Sequence, residues 1–494
     1  MNQLTNASLT RIARRAMLEN GFTPEEPQKV VEAAELLETK PPDLTASSSV
    51  RDLRALLWSS IDNESSRDLD QVEYAEELEN GDIRLLVGIA DVDALVPKDS
   101  VIDAFAYKNT ISVYAANHVF PMLPEQLSTD LTSLRVGFDR LAVVVEMIVS
   151  NDGDVRTSNV YRALVSNRAK LSYAEIGAWL DENLQTPESV AEVEGLDAQI
   201  RLQQKTAARL YQLRRRNGAL EFETIEAAPV VRDDMISDLK TQRRNNSARE
   251  IIENFMIAVN VEMAEFLESR HSLSLRRVVK TPARWNRIVE IAKSFNEILP
   301  EIPDSIALAE FLERRRKADA VHFPDLSLSI IKLLGAGEYV VQTPDALDDS
   351  SSGGHFGLAV QDYAHSTAPN RRYADLIVQR LVKATLENKP SPYSAEELIK
   401  IAAHCNERES RARKVERQIR KTIAASVMSS RLGETFDAIV TGITPSGTFA
   451  RTLRPPVDGR IVSGEEHLQV GEKVRVKLIS TDALKGFIDF ARRH

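Results

Sequence analysis

Three aspartates stand within nine residues of the segment SSIDNESSRDLDQVEYAEEL: Asp62, Asp68 and Asp70. Asp68 and Asp70 are two apart, so extended chain points them to the same side. The polar stretch NESSR (63–67) allows Asp62 to fold back onto them. Three converging carboxylates repel one another unless a cation sits between them. A hard divalent ion with oxygen ligands, such as magnesium, resolves that repulsion. Paired ions about 3.5–4 Å apart are a recurring device for phosphodiester hydrolysis, one activating water and the other stabilising the leaving oxygen. The plainer reading is a solvated acidic loop with helix caps and Asx-turns, and on spacing alone it is the stronger of the two.

A second locus is GGHFGLAVQDYAHSTAPNRRYADLIVQRL, in which Ser366 and Thr367 precede a proline, then Arg371 and Arg372, then an apolar-periodic helix. Ser366 or Thr367 is expected to cap that helix, whose N-terminus and two guanidiniums suit a phosphate. An ordinary capped helix with its arginines paired to acids explains the pattern equally well. Further on, residues 401–432 carry eight basic residues (Arg408, Arg411, Arg413, Lys414, Arg417, Arg420, Lys421, Arg431) against Glu407, Glu409 and Glu416. Such a run is ordinarily a solvated face, and a phosphate-tracking stripe is the sharper alternative.

These loci need a scaffold. A chain of 494 residues holds two to four domains or one large catalytic domain. One cysteine, Cys405, excludes a disulfide framework and a Cys-based zinc site, and fits a reducing cytoplasm. No long apolar run and no signal-type start are present, so a cytoplasmic protein is expected. A net charge of −10 argues, taken alone, against a general nucleic-acid binder. Counted by segment it does not: residues 51–170 hold 20 acids against 12 bases, whereas 401–432 is +5.

The expected fold class is α+β and multidomain. Residues 1–49 form a helical N-terminal region and linker: a helix over 7–20, stopped by Gly21, then a second from Pro24 to Glu38 capped by Thr23. The pair has the order of a helix-turn-helix, but five glutamates on its second helix favour a packing or linker role. Residues 39–49 are a Pro/Ser-rich boundary. From 50 to about 170, hairpins turn at Asn80-Gly81 and at 151–153. Residues 172–216, 247–270, 285–316 and 395–432 are helical by period, and 343–354 is a loop. Residues 433–494 read as a five-stranded OB-fold barrel.

Several segments together resemble the ribonuclease II (RNB) family across residues 50–432. They are SSIDNESSRDLD, VGIADVDALVPKDSVIDAFA, TISVYAANHVFPMLPEQLSTDLTSL, RRRNGALEFE, REIIENFMIAVN and HFGLAVQDYAHSTAPNRRYADLIVQRL, in collinear order. The resemblance implies a magnesium-dependent hydrolytic exoribonuclease that digests single-stranded RNA processively from its 3′ end to nucleoside 5′-monophosphates. It makes Asp62, Asp68 and Asp70 three of four metal-site aspartates and places Arg371 on the scissile phosphate, with Arg372 beside it. It assigns Tyr114 to stacking near the terminal base, Tyr173 to a second base contact, and Glu253 and Glu416 to the RNA channel. Without the resemblance Tyr114 reads as a core or hairpin tyrosine. Residues 433–494 resemble the family's C-terminal OB-type RNA-binding module, with Phe436, Phe449, Arg451 and Lys477 as its candidate contacts. No protein partner is implied, and a monomer is expected.

Three departures matter. The family run D-x-D-D reads Asp68-Leu69-Asp70-Gln71 here, and Gln71 offers a carbonyl oxygen without charge, so one ion should bind more weakly. The alternative is therefore an RNA-binding family member with weakened or lost catalysis. Thr367-Ala368-Pro369-Asn370 stands where Thr-Ser-Pro-Ile is common. The stretch before residue 50 leaves no room for the family's cold-shock domains, so wider access to structured RNA is expected. That expectation fails if a hairpin with a 3′ overhang stalls degradation as far from the stem as in relatives that carry those domains.

Overall fold

The computed structural model describes the chain except residues 1–4, 41–48, 116–117, 183, 233–234, 244–245, 345–353 and 494. The expected linker at 39–49 and loop at 343–354 therefore lie largely outside the described residues. Helix α1 spans Asn6–Glu19, capped by the Thr5 side chain, and Gly21 at φ +81° ends it. Helix α2 is Gln28–Thr39, four residues later than the sequence predicts. Pro27 disfavours helical backbone at Glu26 and offers no N–H of its own. Thr23 does not cap, because its backbone is held by the Asn109 side chain at 2.9 and 3.1 Å.

The strands that follow are β1 (Arg51–Asp52), β2 (Trp58–Asp62), β3 (Gln71–Glu77) and β4 (Ile83–Ala90). Helix α3 (Val101–Asn109) and a short hairpin, β5 (Val113–Ala115) and β6 (His118–Phe120), come next, before β7 (Asp139–Val149) and β8 (Val155–Ser172). Both expected hairpins form, β3 with β4 and β7 with β8. β8 pairs with β7 up to Ser166 and with β2 from Asn167 onward, so the sheet β8-β2-β3-β4-β7 returns on itself. β2 and β3 touch in register only at Ser59 and Glu73 and then diverge.

The expected helical stretch 172–216 is broken into α4 (Tyr173–Glu182), α5 (Glu188–Ala191) and α6 (Leu196–Arg216). Pro187 and Gly195, each at the residue before a helix, impose the breaks. On α6 the Gln199 amide receives from Ala75 N–H at 3.0 Å and donates to Ala75 C=O at 2.6 Å, in the manner of a neighbouring strand. A hairpin, β9 (Ile225–Arg232) and β10 (Met235–Arg243), and helix α7 (Ser247–Ser269) follow. Then come β11 (Ser274–Val278), α8 (Trp285–Ser294), α9 (Ser305–Ala318), α10 (Phe323–Leu334) and β12 (Glu338–Gln342). The stretch 285–316 is thus two helices, separated where Pro300 and Pro303 stand. Sequence reading missed β9 to β12 and α10, whose apolar runs are too short to fix a period.

Helix α7 packs against the sheet and buries Glu262, 7% exposed, whose carboxyl burial pushes up to about 7. The fold therefore favours its protonated form. The stability this contributes is complete below about pH 4.5 and is lost as pH rises through about 7. Relative to Glu262→Gln, the wild-type chain should lose roughly 3 kcal/mol across that window, read as a pH series of urea unfolding curves. Parallel curves for the two proteins from pH 4 to 8 would sink the expectation.

Helix α11 (Tyr373–Leu386) and the 34-residue α12 (Ala395–Met428) complete the helices, α12 opening on a Ser394/Glu397 capping box. The chain ends in a closed barrel in the order β13-β14-β15-β17-β16. Its strands are β13 (Thr435–Thr444), β14 (Gly447–Thr452), β15 (Asp458–Ser463), β16 (Lys473–Asp482) and β17 (Phe487–Arg493), the five read from sequence. Among the described residues no helix is long and apolar enough to cross a membrane.

Besides a smaller core of α8, α9 and α10 around Ile288, Phe311 and Ile330, two larger apolar cores result. One lies between the main sheet and α2, α3, α6, α7 and α11. The other joins α1 and α12 to the barrel through Leu9, Met17, Ile419 and Phe490. The two N-terminal helices thus divide between the cores, the packing role favoured from their charge. Arg408 and Arg411 of the basic run donate to the Asn20 carbonyl at the end of α1.

Candidate active site

Leu69 is buried in the core, so its neighbours Asp68 and Asp70 flank it on an extended segment and face the other way. That segment is pinned from both sides: Leu69 N–H donates to Ser133 Oγ, Leu134 N–H to Leu69 C=O, and Ala90 N–H to Asp70 C=O. The NESSR turn closes on Asp62, whose Oδ1 receives from Ser66 Oγ at 3.0 Å. Asp68 senses Asp62 and Asp70 senses Asp68, both as like charge.

Opposite them stands Arg371. Its Nε donates to Asp70 Oδ2 at 2.9 Å, and Asn370 N–H to Asp70 Oδ1 at 3.3 Å. Asp70 is 2% exposed, and burial pushes its carboxyl up to about 6 although Arg371 opposes the shift. Burial also raises Asp68. The Arg371 side chain keeps 43% of its surface open.

The cap expected from Ser366 or Thr367 does not form. Arg372 is the N-cap residue of α11 and makes no side-chain cap bond, because Pro369 and a turn over 368–372 delay the helix to Tyr373. Ser366 bonds Asn260 instead, Asp375 reaches back to Ala368 N–H, and Tyr373 N–H is taken by Thr110 C=O. Arg372 turns inward to Asp375 at 2.7 Å and does not join Arg371.

The same turn recruits Tyr114. Ser112 N–H donates to Arg371 C=O, laying residues 110–112, just before β5, beside residues 371–373. The Tyr114 hydroxyl bonds Arg371, senses Asp68 and Asp70, and is pushed up to about 12 by burial. Tyr114 N–H donates to Glu416 Oε1 of α12 at 3.2 Å, which brings Glu416 to the site. Tyr173, at the start of α4, sits near Asp62 under the Arg249 guanidinium, 4.3 Å from the ring centroid, and burial raises its hydroxyl.

Glu253 is held apart, among Arg214 and Glu221. Phe449 is half-buried on β14, and Arg451 donates to Ile225 C=O while sharing its surroundings with Lys332 and Arg417. Phe436 is buried in the barrel with Arg431 over its ring, which removes it as a surface contact, and Lys477 is half-buried on β16. Gln71 is buried at the start of β3.

Sequence reasoning missed the groups that hold α11 in place. Gln379 bonds Asp93 N–H and Ala90 C=O. Arg380 pairs with Asp93 and Asp103, and Lys383 with Asp91 and Asp93. The acid half of this network was visible in VGIADVDALVPKDSVIDAFA, but nothing local names its partners.

Among the described residues, no three His, Cys, Asp or Glu side chains stand close enough to hold a metal ion as they are placed. The donor chemistry nonetheless suits a hard divalent cation: the donors are all oxygen and mutually repelling, and burial raises Asp68 and Asp70.

Comparison with known proteins decides the family. Residues 50–388 match the RNB domain, and residues 434–493 match the RNase II-type exonuclease C-terminal S1 domain. The chain belongs to the RNB family. Ribonuclease R of Escherichia coli strain K12 is 31% identical over 459 residues, which is 88% of this chain and 54% of that protein. The chain spans about half the length of the curated RNB relatives it matches first. Among solved RNB structures, Mycoplasma genitalium RNase R in complex with ribose methylated single-stranded RNA superposes with a TM-score of 0.87 at 24% identity, covering 99% of this chain and 78% of that one. The same protein in complex with double-stranded RNA gives 0.85 at 24% identity, covering 99% and 84%. At that identity the likeness establishes the fold.

Proposed function

We propose that this chain is a 3′-to-5′ exoribonuclease acting on single-stranded RNA and releasing nucleoside 5′-monophosphates processively, with magnesium as cofactor. The observation that carries it is the junction of Asp70, Asp68 and Arg371 with the Tyr114 hydroxyl at one open edge. Asp62, Asp68 and Asp70 would hold the cation, which supplies an activated water and charge relief at the phosphate. The donors of Arg371 not spent on Asp70 offset charge growing on the phosphoryl oxygens. Tyr114 offers its ring to the terminal base, since stacking tolerates any base. Lys332, Arg417 and Arg451 converge from α10, α12 and the barrel as a basic approach for the strand behind it. The division into residues 1–49, 50–432 and 433–494, a monomeric state and a cytoplasmic setting that keeps buried Cys405 reduced belong to the same proposal.

The test is one assay. RNA labelled at its 5′ end is incubated with magnesium or with EDTA and resolved as a ladder. Stepwise shortening that needs metal supports the reading. Gln71 favours a second one, an RNA-binding protein with weakened catalysis, whose signature is retarded RNA that never shortens. Tyr114→Ala should weaken single-stranded RNA binding by about 1–3 kcal/mol, while Tyr114→Phe stays close to wild type in filter binding. Equal losses in both variants would assign the effect to the hydroxyl and its bond to Arg371 instead.

A further inference from the structure

Residues 71 and 73 are two apart on β3 and share one face of the strand. Gln71 is neutral where the family resemblance leads one to expect a carboxylate. On the same face, Glu73 is 0% exposed, and neither carboxylate oxygen has a hydrogen-bond partner among the described residues. Its neighbours do not explain it. Gln203 Nε2 is directed to Ser59 Oγ and to the Glu73 backbone carbonyl, and Gln203 Oε1 is itself without a donor. The charged group its carboxyl senses is Asp62, of like sign, and Tyr173 faces both. An ionised carboxylate buried without a donor, beside a second carboxylate, is strongly destabilising. A valine or leucine would fill the position without that cost.

We propose that Glu73 supplies the charge that Gln71 lacks, serving with Asp62, Asp68 and Asp70 as the fourth carboxylate of the divalent-cation site. The proposal rests on the reading of those aspartates as a cation site. Hard cations are bound in proportion to the charge gathered around them, so a glutamate two residues along the same strand face restores the count. It also shifts the site toward Asp62 and Tyr173.

The experiment is a manganese titration of the intact, RNA-free chain near neutral pH, with free ion read by electron paramagnetic resonance. Thermal melts with and without magnesium accompany it. Glu73→Gln is expected to weaken manganese affinity by about tenfold or more and to blunt the rise in Tm that magnesium gives the wild type. Gln71→Asp combined with Glu73→Gln is expected to recover both, since it returns the charge to the strand face. Circular dichroism confirms that the near-isosteric variants are folded. Unchanged manganese affinity in Glu73→Gln, with higher stability at every magnesium concentration, overturns the proposal and makes Glu73 a neutral buried acid that donates to Gln203. If the wild type binds no manganese, or Asp70→Asn binds it as the wild type does, the aspartate site itself falls. That failure is distinct from Glu73→Gln alone being silent.

Discussion

Replacing Asp70 by asparagine is expected to slow RNA shortening by roughly 10³-fold while RNA affinity holds or rises. Asp70 is the most enclosed of the three aspartates and the one directly bonded to Arg371. Asparagine keeps the shape but removes the charge, and one orientation of its amide turns N–H groups toward a guanidinium that can only donate. Substrate phosphate meets less negative charge, so binding does not suffer. Single-turnover cleavage of labelled RNA, set beside filter binding of the same strand, separates the two effects. Cleavage at the wild-type rate would remove Asp70 from the site. A parallel loss of binding would mean that the substitution disturbed the fold around Leu69 and not the chemistry.

The second large effect is on stability. Arg380→Met should cost about 3–5 kcal/mol, because it strands buried carboxylates without their partner. The Arg380 side chain is 3% exposed and bonds Asp93, Asp103, the Tyr393 hydroxyl and the Val96 carbonyl. Methionine fills much of the volume and answers none of those groups. Urea unfolding gives the number. The same variant should also cleave RNA more slowly at saturating substrate, since Arg371 stands in the turn that leads into α11, and α11 is held to the end of β4 by this network. A shift under about 1 kcal/mol would show that the carboxylates find water or other donors when the guanidinium is gone.

Much of the architecture was legible in the chain because it rests on local rules. Asn80-Gly81 and Asp152-Gly153 sit in turns that join alternating apolar runs, and both hairpins form in register. The barrel's strands, each bounded by turn residues, were readable one by one. Helix boundaries were legible only where a cap or a glycine settled them. α12 opens on Ser394 with Glu397 three residues on, but α2 waits for Pro27 because Thr23 is engaged by Asn109 from another element.

The site divides in the same way. Asp68 and Asp70 owe their shared direction to spacing and to the apolar Leu69 between them, all of it written in three consecutive residues. Sequence by itself therefore determined which side chains could carry chemistry, and through the family resemblance what chemistry to expect of them. Only the tertiary structure decided which of two adjacent arginines reaches the aspartates. Arg371 reaches Asp70, some 300 residues away in the chain, while Arg372 turns inward to Asp375. Only the fold brings Tyr114 onto Arg371, and only the fold leaves Glu73 buried without a donor. Spacing along a strand or helix is fixed by backbone geometry that every residue carries with it. Which distant groups face one another, and which are shut off from water, depends on how the sheet closes and on where α11 is anchored to it.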